Sequence, residues 1–401
     1  MFRFSAFVLS ACILAACSGN PFDKTEPAPA PPPVAPAPEP APPPVPEPVP
    51  EPEPEPIGIE GRELPPGTRN PTPNTDIVRF EQFDNGTGPN RGNGFANGFR
   101  YEPATPDGGG DLFYVEGLAF DGDQPDGTAY TRSIYPTGAD NAGQPIALGT
   151  GFAAYEGPST VPDSLTGQPI GQLEHRALFK RSTTMRNGNP LTSLAIVRTG
   201  SYAGYGFGGF VYQRNGDVVL PASGQARYSG AYAGLRDFNG ATGLQYVTGI
   251  MDVSVDFNGF SGNCTPPRCT DAVRGSVNDR KIFDLNGREV TDEVITAINA
   301  DRNATLTELP VLRFRIGTGV LDRNGEIVGT LNSEFIDNSN QAVIYEQGNY
   351  YAIMAGDHSS LTGGGGEIVG IIVVEGANSN LPGSTFRETG GFIVTRDQAG
   401  P

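Results

Sequence analysis

The chain has 401 residues, with 27 Lys and Arg against 45 Asp and Glu, for a net charge of −18. That balance speaks against nucleic acid, whose affinity comes largely from cationic side chains on phosphate, and against a basic membrane-surface patch. Trp is absent and His occurs only as His175 and His358, which excludes a Trp-built cage and a metal site made of several imidazoles.

Residues 1–17 read as an export signal. Arg3 supplies the positive end, residues 4–14 form an apolar run too short to cross a bilayer, and Leu14-Ala15-Ala16-Cys17 matches a bacterial lipobox. Cleavage before Cys17 leaves its thiol and amine to be acylated, and several acyl chains anchor a protein where one does not. Ser18 rather than Asp follows, which by resemblance to such lipoproteins points to the outer membrane; surface exposure is expected, and the residues leave outward and periplasmic orientation open. Residues 18–76 form a tether. Its segment 27–56 is almost entirely Pro, Ala, Val and Glu, and its prolines lack the backbone donor and fix φ, which holds it extended. As polyproline II at about 3.1 Å per residue, it reaches on the order of 90 Å.

Residues 77–222 predict a smaller β-rich domain. Short strands are expected at 99–101, 112–115, 129–135, 172–181 and 194–199, between clusters of Gly, Asp, Asn and Pro. Asn215-Gly216, between Phe210-Val211-Tyr212 and Val218-Val219-Leu220, predicts a tight hairpin. The acidic loop 120–127 is a candidate for calcium, although such loops are usually plain turns.

Residues 223–401 predict an antiparallel barrel. Met251, Val253, Val255 and Phe257 alternate with Asp252, Ser254 and Asp256, the mark of a strand with one dry and one wet face. Tyr228, Gly230, Tyr232 and Gly234 share a face, as in a bent strand passing a crowded corner. Arg274 to Val277 should pair back onto 251–257. Cys264 and Cys269, with four residues between them in an exported chain, predict a local disulfide. Residues 290–300 have helical spacing, with Thr291 or Asp292 as a cap. The tetrapeptides at 284–287 and 322–325 read as turns, because their spacing is wrong for a calcium loop. The closing strand, at 386–396, should pair with the first.

No Gly-x-Ser-x-Gly elbow and no Ser-x-x-Lys is present, so no catalytic residue, metal ligand or cofactor is assigned. His358, beside Ser359 and Ser360, reads as a solvated loop residue. His175 reads as a surface or cross-strand residue.

Residues 224–397 resemble the β-barrel domain of the transferrin-binding protein B family of surface lipoproteins. The resemblance is carried by Tyr228-Ser229-Gly230-Ala231-Tyr232-Ala233-Gly234, Val253-Ser254-Val255-Asp256-Phe257, Arg274-Gly275-Ser276-Val277, Gly329-Thr330-Leu331, Gly366-Glu367-Ile368-Val369-Gly370 and Phe386-Arg387-Glu388-Thr389-Gly390-Gly391-Phe392, in that order behind a lipobox and a Pro-rich tether. It implies an all-β protein: an eight-stranded antiparallel barrel preceded by a flatter, handle-like β domain. Members capture transferrin, haem or haemoglobin, or a complement regulator, through variable loops and handle edges, so no ligand residue carries over. The implied function is an anchored, non-enzymatic capture lipoprotein for an iron-bearing protein or a small ligand such as haem. Its membrane partner is lipid, reached through acylated Cys17. The alternative is a structural or adhesive surface protein.

Overall fold

The computed structural model describes residues 63–81, 94–103, 111–118, 128–132, 151–162, 166–200, 204–257, 273–315, 320–359 and 366–397. The chain divides into two units, Met1–Glu53 and Pro54–Pro401, and the described residues belong to the second. The lipobox with Cys17, the Pro-rich segment, the acidic loop 120–127 and the Cys264–Cys269 pair lie outside them.

The strands are, in order, β1 Ile77–Phe80, β2 Gly94–Glu102, β3 Leu112–Leu118, β4 Thr128–Arg132, β5 Phe152–Glu156, β6 Thr160–Pro162, β7 Pro169–Gly171, β8 His175–Arg181, β9 Met185–Arg186, β10 Asn189–Pro190, β11 Thr192–Thr199, β12 Gly208–Arg214 and β13 Val218–Val219. They continue with β14 Gln225–Asn239, β15 Leu244–Asp256, β16 Val273–Asp284, helix α1 Thr291–Arg302, then β17 Leu312–Phe314, β18 Glu326–Ile336, β19 Ala342–Asp357, β20 Glu367–Ala377 and β21 Thr385–Arg396.

The last eight strands close into an antiparallel barrel, each pairing with the next and β21 returning to β14. Closure matters because an open sheet leaves unpaired edges. The alternation in β15 is realised: Met251, Val253 and Val255 are buried in the barrel with Phe257, and Met251 stands opposite Val277 on β16. The spaced glycines of β14 also face inward. Gly234 lies opposite Gly390 on β21, and a Cβ at Gly234 would come within 2.9 Å of Gly390 Cα. Tyr232 folds its ring over Gly390, where a Cβ would collide with the Tyr232 hydroxyl. Gly390→Ala is therefore expected to cost about 1–3 kcal/mol through overpacking, read as a lower urea midpoint. An unchanged midpoint would mean that the ring has room to move.

α1 lies in the connection from β16 to β17 and buries Val294, Ile295 and Ile298 in the barrel core. The helix forms where its spacing predicts, but neither predicted residue caps it. The N-cap is Val290, without a side-chain bond, and the Thr291 hydroxyl instead accepts from Ile282 N at 2.9 Å. Both predicted turns are present: Gly287 N donates to Asp284 O, and Gly325 N to Asp322 O.

The first sheet runs β1-β12-β11-β8-β5-β4-β3-β2, with one further bridge from Phe95 to Gly208. One face is aromatic and self-contained, with Phe113 stacked on Tyr155 and Tyr101 on Phe179. The other face packs on the outside of the barrel: Leu178, Leu194, Ile196 and Phe210 meet Leu235, Ile353, Ile371 and Ile393. Buried ionic groups fasten this seam. Arg79 pairs bidentately with Glu326 at 2.7 and 2.9 Å, and Glu367 accepts from Ser182 and Thr192 at 2.7 and 2.6 Å.

The expected hairpin at Asn215-Gly216 does not form. The turn is there, with Gly216 at φ 95°, but both edges of β12 are taken, by β11 and β1. Thus β13 crosses to the barrel and pairs in parallel with the end of β19. The sheet also contains β5, Phe-Ala-Ala-Tyr-Glu, which pattern reading missed because its alanines favour helix as readily as strand.

Candidate ligand-binding mouth of the barrel

Strand parity delivers four charged side chains to the barrel interior. Arg236 continues the inward row of Tyr228, Tyr232 and Gly234, while Glu388 shares parity with Phe386 and Phe392. Arg280 and Glu346 enter from β16 and β19, and all four are at most 4% exposed. Arg236 donates Nε to Glu388 and Nη2 to Glu346, each at 3.0 Å. Arg280 donates to both oxygens of Glu346 at 2.9 and 2.6 Å and to Pro310 O at 2.8 Å. The Tyr232 hydroxyl donates to Glu388 at 2.8 Å, and that of Ser333 to Glu346 at 2.6 Å.

Two cations and two anions cancel, so the cluster is neutral as a whole. Burial by itself would lower the Arg280 pKa, but Glu346 and Glu388 outweigh it and hold the guanidinium above its ordinary value. Burial by itself would raise Glu346, but Arg280 dominates and holds it low. Arg236, Arg280 and Glu346 are therefore charged at neutral pH.

Above this cluster, at the end of the barrel beside α1, a cavity of about 250 Å³ opens. Arg236, its guanidinium carbon 3.9 Å from the centre of the Phe386 ring, forms part of the lining. Val294 of α1, Leu244 and Tyr345 add apolar and aromatic surface, and Gln245, Asn378 and Asn380 supply amides. Burial pushes the Tyr345 hydroxyl up to about 12, so it stays a neutral donor. An aromatic, amide-bordered mouth over a fixed charge can seat a flat ligand edge and orient it by hydrogen bonds. Sequence reading did not single out the four charged residues, although a charge on the dry parity of a strand was the available signal.

His358 is placed otherwise than expected, whereas His175 fits the cross-strand alternative. His358 is not a solvated loop residue: it is fully buried, its ring packed against Gly366 and its Nδ1 2.6 Å from the Tyr228 hydroxyl. Its Nε2 has no hydrogen-bond partner among the described residues. Burial, helped by Arg396, lowers its pKa to about 3. Ser359 bonds Asp357 and not the imidazole. His175 lies in β8 and is buried, with Nδ1 3.0 Å from the Tyr130 hydroxyl. Burial, with Arg176, lowers its pKa to about 4. Among the described residues no group of three or more His, Cys, Asp or Glu is placed to hold a metal ion.

No family profile matches the sequence, and no curated protein does. Among solved structures, a match is found to the crystal structure of a single-site mutant of the vaccine antigen transferrin binding protein B from Haemophilus parasuis Hp5. The TM-score is 0.26 and the identity 8%, over 72% of this chain and 64% of that one. The chain thus spans less than two thirds of the length of that structure. The all-β fold, a closed eight-stranded barrel preceded by a second sheet, is established by the strand pairing of this chain itself.

Proposed function

We propose that this chain is an outer-membrane-anchored capture lipoprotein, taking an iron-bearing protein or a small iron-bearing ligand such as haem on loops at the barrel mouth and the edges of the first sheet. The observation that carries this reading is the mouth beside α1, where buried ion pairs hold Arg236 against the Phe386 ring beneath the turns that follow β14 and β20. A preorganised mouth loses little freedom on binding, which is where affinity is otherwise spent. The lipobox at Cys17 and the long tether support display of that mouth away from a lipid surface. At about 250 Å³ the cavity is smaller than the roughly 300–1,000 Å³ typical of sites that enclose a drug-sized ligand. A larger ligand therefore engages with an edge and leaves its bulk on the loops.

The test uses detergent-solubilised full-length protein. Haem is titrated by visible absorbance, and iron-loaded proteins are offered in a pull-down. Binding that weakens about tenfold when Asn380→Trp blocks the mouth is the expected result, equivalent to about 1.4 kcal/mol. Absence of binding to haem, iron and every iron-bearing protein would remove the reading. Protease shaving of intact cells tests surface display.

A further inference from the structure

We propose that the outer wall of the barrel, where the first sheet leaves it, binds a neutral oligosaccharide on an amide and hydroxyl ladder formed by Thr330, Asn332, Gln347 and Asn349 beside Tyr205. This goes beyond iron capture and does not depend on it.

The wall of β18 to β21 is covered only in part. Tyr351 lies under Phe210, rings 6.0 Å apart, and Thr389 accepts from Arg198 of β11. Beyond that seam the cover ends, and a groove of about 870 Å³ follows. Its floor is ordered by strand register. Thr330 stands opposite Asn349 and Asn332 opposite Gln347, and Gln347 in turn faces Glu375. Side chains directly opposite in an antiparallel pair lie about 5 Å apart, so these groups form two parallel rungs across neighbouring strands. Gln347 and Asn349 are exposed and Thr330 is half-buried, whereas Asn332 is buried, its amide donating to Glu334, and forms the deep end of its rung. Each carboxamide offers a carbonyl acceptor and two N–H donors, which is the complement of vicinal hydroxyls that both donate and accept.

Two further features select an uncharged, ring-shaped ligand. Among the described residues the groove is lined by one cation, Arg315, and one anion, Glu375; they cancel, in a chain whose net charge is −18. Tyr205 lines one side. Its hydroxyl donates to Thr385 Oγ1 at 2.7 Å, and Arg387 backs the ring at 4.7 Å from its centre. A side chain fixed in this way gives a sugar ring an apolar platform at little entropic cost. The floor spans β18 to β21, three interstrand spacings of about 4.8 Å, which suits a short oligosaccharide rather than a single sugar.

The test titrates full-length protein with cellotetraose, maltotetraose and N-acetylchitotetraose by calorimetry, with saturation-transfer NMR to find the contacting protons. At least one tetrasaccharide is expected to bind, and Gln347→Ala with Asn349→Ala to weaken it at least tenfold. Both residues are exposed, so thermal unfolding of the variant should stay near that of the parent. Asn380→Trp at the barrel mouth should leave saccharide binding unchanged, which separates this site from the capture site. A glycoprotein offered before and after enzymatic deglycosylation distinguishes a free glycan from one carried on a protein. If no tetrasaccharide binds, or if the double variant binds as well as the parent, the proposal is wrong. Protein binding that survives deglycosylation but is lost in the double variant would assign the groove to a protein and also overturn it.

Discussion

Glu388→Ala is expected to destabilise the folded chain by about 3–5 kcal/mol, the loss typical when one partner of a buried ionic cluster is removed. Glu388 is fully buried and accepts from Tyr232, Arg236 and Arg280. Its removal leaves two guanidinium groups sharing Glu346 alone, and a net positive charge inside the barrel. Glu388→Gln keeps an acceptor but not the charge, and should fall between. Replacing Arg236 and Glu388 together by Met and Leu removes one charge of each sign and should recover much of the loss, because well-packed apolar residues often match a buried ion pair. Urea unfolding measures all three variants. A Glu388→Ala chain within 1 kcal/mol of the parent would show that water reaches the cluster and screens it.

Acid is expected to weaken the fold in a window set by the two buried histidines. The unfolded chain takes up its imidazole protons near pH 6.5, whereas the folded chain holds His175 unprotonated down to about pH 4 and His358 to about pH 3. The stabilisation is therefore complete above pH 6.5 and is lost as pH falls. Each histidine contributes about 1.4 kcal/mol of loss per pH unit within its window, so together they remove about 5 kcal/mol between pH 6.5 and 4.5. Glu346, held low by Arg280 against its own burial, adds to the loss once its unfolded pKa is reached. Glu367 and Asp322, raised by burial, act in the opposite sense. A chain with His175→Gln and His358→Gln isolates the histidine part, since its acceptors and donors remain but cannot charge in this range. Its melting temperature should depend on pH distinctly less than that of the parent from pH 6.5 to 4.5. Parallel curves would mean that the imidazoles are protonated in the folded state.

Both effects arise from buried charged or titratable groups, and these were the hardest features to read beforehand. The dry face of β15 was legible because Met251, Val253, Val255 and Phe257 repeat with period two, and no other element fits that period. The return of Arg274 to Val277 onto that strand was equally legible, as were the turns at Gly287 and Gly325. The hairpin at Asn215-Gly216 was not. A local turn signal says that the chain reverses, but not which edge is still free to receive it, and β12 had none to offer.

His358 shows the same limit at one residue. Its neighbours Asp357, Ser359 and Ser360 are polar, as in a solvated loop, yet the end of β19 carries it against Tyr228 and Gly366. The histidine is buried by residues far away in the chain. Arg236 and Glu388 lie between these cases: their parity already pointed inward, but only closure of β21 on β14 brings them within 3.0 Å.

What the order of amino acids determined here is periodic and local: which stretches are strands, which face of each is dry, where the chain turns and where a helix fits. The tertiary structure decided which strand edges meet, and therefore which charges neutralise one another inside the barrel, which histidines stay unprotonated and which polar rows line up across its outer wall. The physical reason is that propensity and alternation act over a few residues, whereas desolvation and pairing depend on groups brought together from distant parts of the chain.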